Sequence, residues 1–158
     1  MVKIGNLNLY VGTKEEYNDA LKQDMRVVCA LNKCKDYISH QSVVGWVGKG
    51  CNPSHPNYLY KETEDAIYLN MIDSPNPHFI NDEMIDAALN FIHRNLTTNH
   101  KVFIYCSLGE SRSPSIALMY LLKYKIDTPI SLKSFKEKYY PKFKPSLGNA
   151  IYIRNRFS

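Results

Sequence analysis

The stretch Lys101-Val102-Phe103-Ile104-Tyr105-Cys106-Ser107-Leu108-Gly109-Glu110-Ser111-Arg112-Ser113-Pro114 runs from an apolar segment through a short polar loop into a second apolar segment, Ser115-Ile116-Ala117-Leu118-Met119-Tyr120-Leu121-Leu122. An unbroken run such as Val102-Phe103-Ile104-Tyr105 predicts a central strand buried on both faces. The segment after the loop is apolar almost all round and predicts a buried helix. Pro114 suits its first turn, where a missing N–H costs nothing. Gly109 supplies the backbone freedom that a tight loop needs. Strand, loop and helix in this order aim the backbone N–H groups of residues 107–112 inward, with the helix N-terminus behind them, and such a nest favours a dianion.

Within that nest, Cys106 and Arg112 stand with five residues between them. A phosphate monoester resists attack because nucleophile and ester are both anionic. The amides, the helix dipole and Arg112 all favour a thiolate at Cys106, the form of cysteine that attacks. Arg112 is suited to clamp two phosphoryl oxygens with its planar fork, which a lysine lacks. Ser113 is placed to donate a hydrogen bond to the sulfur when it departs. An inert strand-end cysteine would leave Gly109, Arg112 and Ser113 unexplained. The leaving group needs a proton, so a carboxylic acid should stand on a nearby loop. Asp73 is the best candidate: it follows the strand-like run Ala66-Ile67-Tyr68-Leu69-Asn70-Met71-Ile72 and opens a Pro-rich loop, Ser74-Pro75-Asn76-Pro77. The same carboxylate could then activate water. Asp65, ahead of its strand, and Asp82, at a helix start, are weaker rivals.

The loop resembles the signature of the protein tyrosine phosphatases, and within them the small dual-specificity branch, in which His-Cys-x-x-Gly-x-x-Arg-Ser is usual. Cys106, Gly109, Arg112 and Ser113 match, and Ser111-Arg112-Ser113 reproduces that branch's common Ser-Arg-Ser. The likeness extends along the chain. Ile4 to Gly12 resembles the family's opening strand pair, Val27 to Asn32 its next strand closing in Leu-Asn, and Pro145-Ser146-Leu147-Gly148 the turn into its last helix. Asp73 lies where the family carries its general acid. The resemblance implies catalysis by Cys106, Arg112, Asp73 and Ser113, phosphate binding by the backbone of Ser107, Leu108, Gly109, Glu110, Ser111 and Arg112, and no metal or other cofactor. A phosphate or sulfate ion would fit the same cradle. Three features depart from the family: Tyr105 stands in place of the usual histidine, Glu110 places a negative charge in the loop, and residues 41–58 fit no family element. That segment is expected to form a loop, with Trp46 a packing anchor rather than a substrate contact.

Size and charge set further bounds. The chain's 158 residues predict one α/β domain spanning residues 1–158, large enough for a core without staples. Alternating strands and helices predict a central, mostly parallel sheet of four to five strands flanked by helices, with the site at the carboxyl end of the central strand. The strands are expected over Leu7–Val11, Arg26–Leu31, Ala66–Met71 and residues 101–105, the helices from Thr13, Asn81, Ser113, Thr128 and Gly148. No apolar stretch is long enough to predict a membrane span, and the N-terminus is not a secretory signal. The four cysteines (Cys29, Cys34, Cys51, Cys106) show no metal-type spacing, and a catalytic thiolate implies a reducing, cytoplasmic home. The net charge of +5 is uneven: residues 101–158 hold eleven Lys/Arg against three Asp/Glu, a net +8. A positive field raises encounter rates with phosphorylated partners, whereas basic stripes without contact motifs do not indicate nucleic-acid binding. The leading expectation is a protein phosphatase for phosphotyrosine, with phosphoserine and phosphothreonine as further substrates. The same chemistry on a phosphoinositide or an RNA 5′ phosphate, which Glu110 disfavours, and a phosphoprotein-binding module with weak catalysis are the alternatives.

Overall fold

A computed structural model describes residues 1–157 and contains one six-stranded sheet with helices on both faces. The strands are β1 (Val2–Lys3), β2 (Leu9–Thr13), β3 (Arg26–Cys29), β4 (Tyr60–Glu62), β5 (Ala66–Leu69) and β6 (Val102–Cys106), in the spatial order β1-β2-β6-β3-β5-β4. The four predicted strands form the parallel centre, β2-β6-β3-β5. The short strands β1 and β4 pair antiparallel at the two edges and extend the sheet beyond the four to five expected.

β6 is buried along its whole length, as its unbroken apolar run predicts. Its alternate residues serve two cores. Val102, Ile104 and Cys106 join the larger core, together with Val28, Ile67, Leu89 and Leu118, whereas Phe103 and Tyr105 join a smaller one with Ala20, Val27, Cys29 and Leu31. A strand's period of two separates these sets. The larger core is closed by α3 (Asp82–Thr97), capped by the Asn81 side chain, and by α4 (Arg112–Lys123), buried from Ser113 through Leu121. The smaller core lies under α1 (Tyr17–Lys22), which follows a 3₁₀ turn held by Glu16 accepting from the Thr13 amide at 3.0 Å.

The loop expected over residues 41–58 holds only from Gly45 onward. Ser39 caps a further short helix, α2 (His40–Val44), whose first amides reach back to Leu31 and Asn32 at 2.9 Å each. Pro53 and residues 55–60 line a hollow with Glu62 and Glu83. Trp46 is a packing anchor as expected, donating Nε1–H to His40 Nδ1 at 2.9 Å. After α4, Ser131 caps α5 (Leu132–Lys138), and α6 (Leu147–Phe157) completes the fold. Among the described residues no helix is long and apolar enough to cross a membrane.

Candidate active site

β6 ends at Cys106, paired in register with Thr13 of β2, and α4 begins at Arg112. The loop between them turns at the carboxyl edge of the sheet, where parallel α/β folds place their ligands. Gly109 has φ +69°, where a side chain is strained, and a Cβ there would stand 3.0 Å from Thr13 Cγ2 and 3.1 Å from the Gly12 carbonyl oxygen, so its neighbours would have to give by a few tenths of an ångström. The loop is pinned from outside as well. Tyr140 donates its hydroxyl to the Gly109 carbonyl at 2.6 Å, and the Lys144 amide donates to the Glu110 carbonyl at 2.7 Å. With these carbonyls turned outward, the loop's amides are left for the cavity. Lys14 donates Nζ–H to Ser107 Oγ at 3.1 Å and adds a cation at the loop's start.

Cys106 lies at the floor of a cavity of about 490 Å³, only 2% exposed. Its Sγ is 3.1 Å from Ser113 Oγ, which also approaches the Gly12 carbonyl at 3.2 Å. Arg112 lines the cavity beside Cys106. Both Nη1 hydrogens are taken by the protein, one by Asn32 Oδ1 at 3.1 Å and one by the Met71 carbonyl at 3.0 Å. Nε and Nη2 have no protein partner among the described residues, so an oxyanion can approach them. Glu110 and Lys144 also border the cavity, opposite charges on its wall.

The predicted acid, Asp73, opens into the same cavity. Its Oδ1 accepts from Ser111 Oγ at 2.7 Å and from Asn149 Nδ2 at 3.2 Å. The loop after it is clamped by α6: a Cβ on Gly148 would stand 2.2 Å from the Ser74 carbonyl oxygen, so only glycine lets the helix lie against this backbone. The rivals stand elsewhere. Asp65 is ion-paired with Arg26, and Asp82 accepts from Tyr152 at 2.6 Å. Cys106, Arg112, Ser113 and Asp73 are therefore brought to one cavity. Four further residues around them are not singled out by the sequence: Asn32, Lys14, Tyr140 and Asn149. Asn32 lies just beyond β3 and Asn149 in the first turn of α6, but nothing local marks their partners. Among the described residues no His/Cys/Asp/Glu cluster could hold a metal ion.

Residues 9–148 match the family model of the dual specificity phosphatase catalytic domain. The chain is 28% identical over 152 residues to a probable dual specificity protein phosphatase of Dictyostelium discoideum, covering 90% of this chain and 58% of that protein. It thus spans little more than half that relative's length. A shorter match, 33% identical over 60 residues, covers 38% of this chain and 18% of the phosphatidylglycerophosphate phosphatase PTPMT1 of Arabidopsis thaliana. In fold the chain is similar to human DUSP28 (TM-score 0.65, 13% identity, 99% of this chain and 91% of that one). It is equally similar to the PTP-2 phosphatase of Cydia pomonella (TM-score 0.65, 15% identity, 98% and 88%). With a match of this length joined to this cavity, the chain belongs to the dual specificity phosphatase catalytic-domain family of cysteine-based protein phosphatases.

Proposed function

We propose that residues 1–158 act as one catalytic domain that hydrolyses phosphotyrosine, and in addition phosphoserine and phosphothreonine, in proteins through a phosphocysteine intermediate. The observation that carries this reading is a single cavity with Cys106 on its floor, Arg112 beside it and Asp73 on its rim. In the first step the Cys106 sulfur attacks phosphorus and the P–O bond to the substrate breaks. Asp73 gives its proton to the departing oxygen, and Arg112 with the amides of residues 107–112 holds the equatorial oxygens. In the second step the Asp73 carboxylate takes a proton from water, which attacks phosphorus. The S–P bond breaks with the Ser113 hydroxyl, 3.1 Å from Sγ, stabilising the thiolate. No step requires a metal.

A phospholipid headgroup monoester is the second reading, favoured by the partial match to a phosphatidylglycerophosphate phosphatase. Glu110 on the cavity wall weighs against ligands carrying many phosphates. A reducing, cytoplasmic setting suits a mechanism that depends on a thiolate, and all four cysteines are unpaired.

The test is hydrolysis of an aryl phosphate by the purified protein with chelator present, followed by a comparison of phosphotyrosine peptides, phosphothreonine peptides and phospholipids. Activity is expected without metal, abolished in Cys106→Ser, and highest on phosphotyrosine peptides. Tight phosphopeptide binding without turnover would replace this reading with that of a binding module.

A further inference from the structure

The Ser111 hydroxyl is the hub of a fully determined hydrogen-bond knot. Its oxygen accepts from the Ser146 amide at 2.8 Å and from Asn149 Nδ2 at 2.8 Å, and its single hydrogen goes to Asp73 Oδ1 at 2.7 Å. A serine hydroxyl has one hydrogen to give and two lone pairs to fill, so every bond direction here is fixed. The second Nδ2 hydrogen of Asn149 goes to the same Asp73 Oδ1 at 3.2 Å. In this orientation the amide gives the Asp73 carboxylate a second donor; turned over, its carbonyl oxygen would face the ionised Asp73 oxygen. Asn149 is fully buried, and its own Oδ1 has no hydrogen-bond partner among the described residues. A buried unpaired polar atom is costly, so Asn149 is poor core filling, and its value lies in the two bonds that Nδ2 makes.

We propose that Asn149 is a positioning residue for Asp73. With Ser111 it fills Oδ1 with two donors, which leaves Oδ2 to carry the transferable proton. That proton passes from Oδ2 to the ester oxygen as the P–O bond breaks, and Oδ2 later accepts one from the attacking water. The last helix of the fold thereby sets which oxygen of the acid is reactive. This rests on the reading of Asp73 as the general acid.

The experiment compares two substrates. A phosphotyrosine peptide leaves as a phenol of pKa about 10 and needs the proton; a dinitrophenyl phosphate leaves readily without it. Asn149→Leu removes both Nδ2 bonds together with the unpaired oxygen. Its kcat on the peptide is expected to fall about fivefold to tenfold, the equivalent of one net hydrogen bond. On dinitrophenyl phosphate it should fall less than about twofold, with KM unchanged on both. In an Asp73→Asn background the same substitution should cost nothing further. Asn149→Ala, which adds no atoms, carries the same test if the leucine variant does not fold. Wild-type kcat on the peptide, an equal loss on both substrates, or a full additional loss in the Asp73→Asn background would each overturn the positioning role while leaving the acid in place. Wild-type peptide turnover by Asp73→Asn alone would instead remove the acid assignment, and the positioning role with it.

Discussion

The Tyr105 hydroxyl donates to the Ile38 carbonyl at 2.6 Å on the face of the sheet opposite Cys106. Tyr105 stands where the family usually has a histidine, yet its phenol never enters the cavity. It packs with Phe103 and Tyr17, and burial pushes its ionisation far above the ordinary phenol range, so it is a permanent donor. Cys29 also reaches the Ile38 carbonyl, at 3.6 Å, and burial pushes its thiol up to about 11. Together they tie down the segment after β3, whose Asn32 accepts from Arg112. A residue that departs from the family pattern is thus joined to Arg112 through a tethered backbone.

Tyr105→Phe should therefore act on stability before chemistry. It leaves a partly buried carbonyl with only a weak thiol donor, a loss of about 1 kcal/mol. The urea midpoint is expected to fall at unchanged m-value, with KM for an aryl phosphate rising as Asn32 loosens and kcat staying within about threefold of wild type. An unchanged midpoint would show that the phenol–carbonyl bond contributes nothing.

The extent to which the sequence discloses this site follows from how local each interaction is. β6, the loop and α4 are specified by contiguous signals: an apolar run, a glycine in a forced conformation, and a proline in a first turn. Asp73 is marked by the apolar run before it and the Pro-rich stretch after it, and the Asn81 cap by the helical spacing that follows; the helix expected from Thr128 begins only at Leu132, with Ser131 as its cap. The edge strands β1 and β4, two and three residues long, are too short for alternation to register, and α2 is too short for a helical period. Asn149 meets Asp73 across 76 positions and Arg112 meets Asn32 across 80. Such pairs are created by packing, and no pattern along the chain announces them. Tyr140 is of the same kind, one of two adjacent tyrosines, whose hold on Gly109 exists only once α5 and α6 have docked.

Gly148→Ala tests how closely α6 must lie on the loop that carries Asp73. The added Cβ meets backbone on both sides, the Ser74 carbonyl oxygen at 2.2 Å and Asn76 atoms at 3.1 Å, so no flexible side chain can yield. Overpacking of this sort costs about 1–3 kcal/mol, and relief comes by moving residues 74–76, and Asp73 with them. Turnover of a phosphotyrosine peptide is expected to fall several-fold more than turnover of a dinitrophenyl phosphate. Equal effects on the two substrates would mean that the helix supports the whole cavity rather than the loop that carries Asp73.

His40 makes stability depend on pH in a direction that its neighbours determine. Nε2 lies 2.7 Å from the Asn57 carbonyl, which can only accept, and Nδ1 accepts from Trp46 at 2.9 Å, so the ring is held neutral in one tautomer. Burial lowers its pKa below the usual histidine value, the Asn57 carbonyl opposes this, and His55 adds to it. The unfolded chain takes up the proton near pH 6.5 while the folded chain resists it. The contribution of neutral His40 is therefore complete above about pH 6.5 and is lost as the pH falls below it. At about pH 5.5 the loss can reach no more than about 1.4 kcal/mol. Trp46→Phe removes the donor that faces Nδ1, so the folded protein should protonate more readily. Its denaturation midpoint, followed by far-UV circular dichroism because Trp46 is the chain's single tryptophan, should change less between about pH 7.5 and 5.5 than that of the wild type. If both proteins lose the same stability over that interval, the pH response arises elsewhere, and the Trp46–His40 pair does not hold the ring neutral.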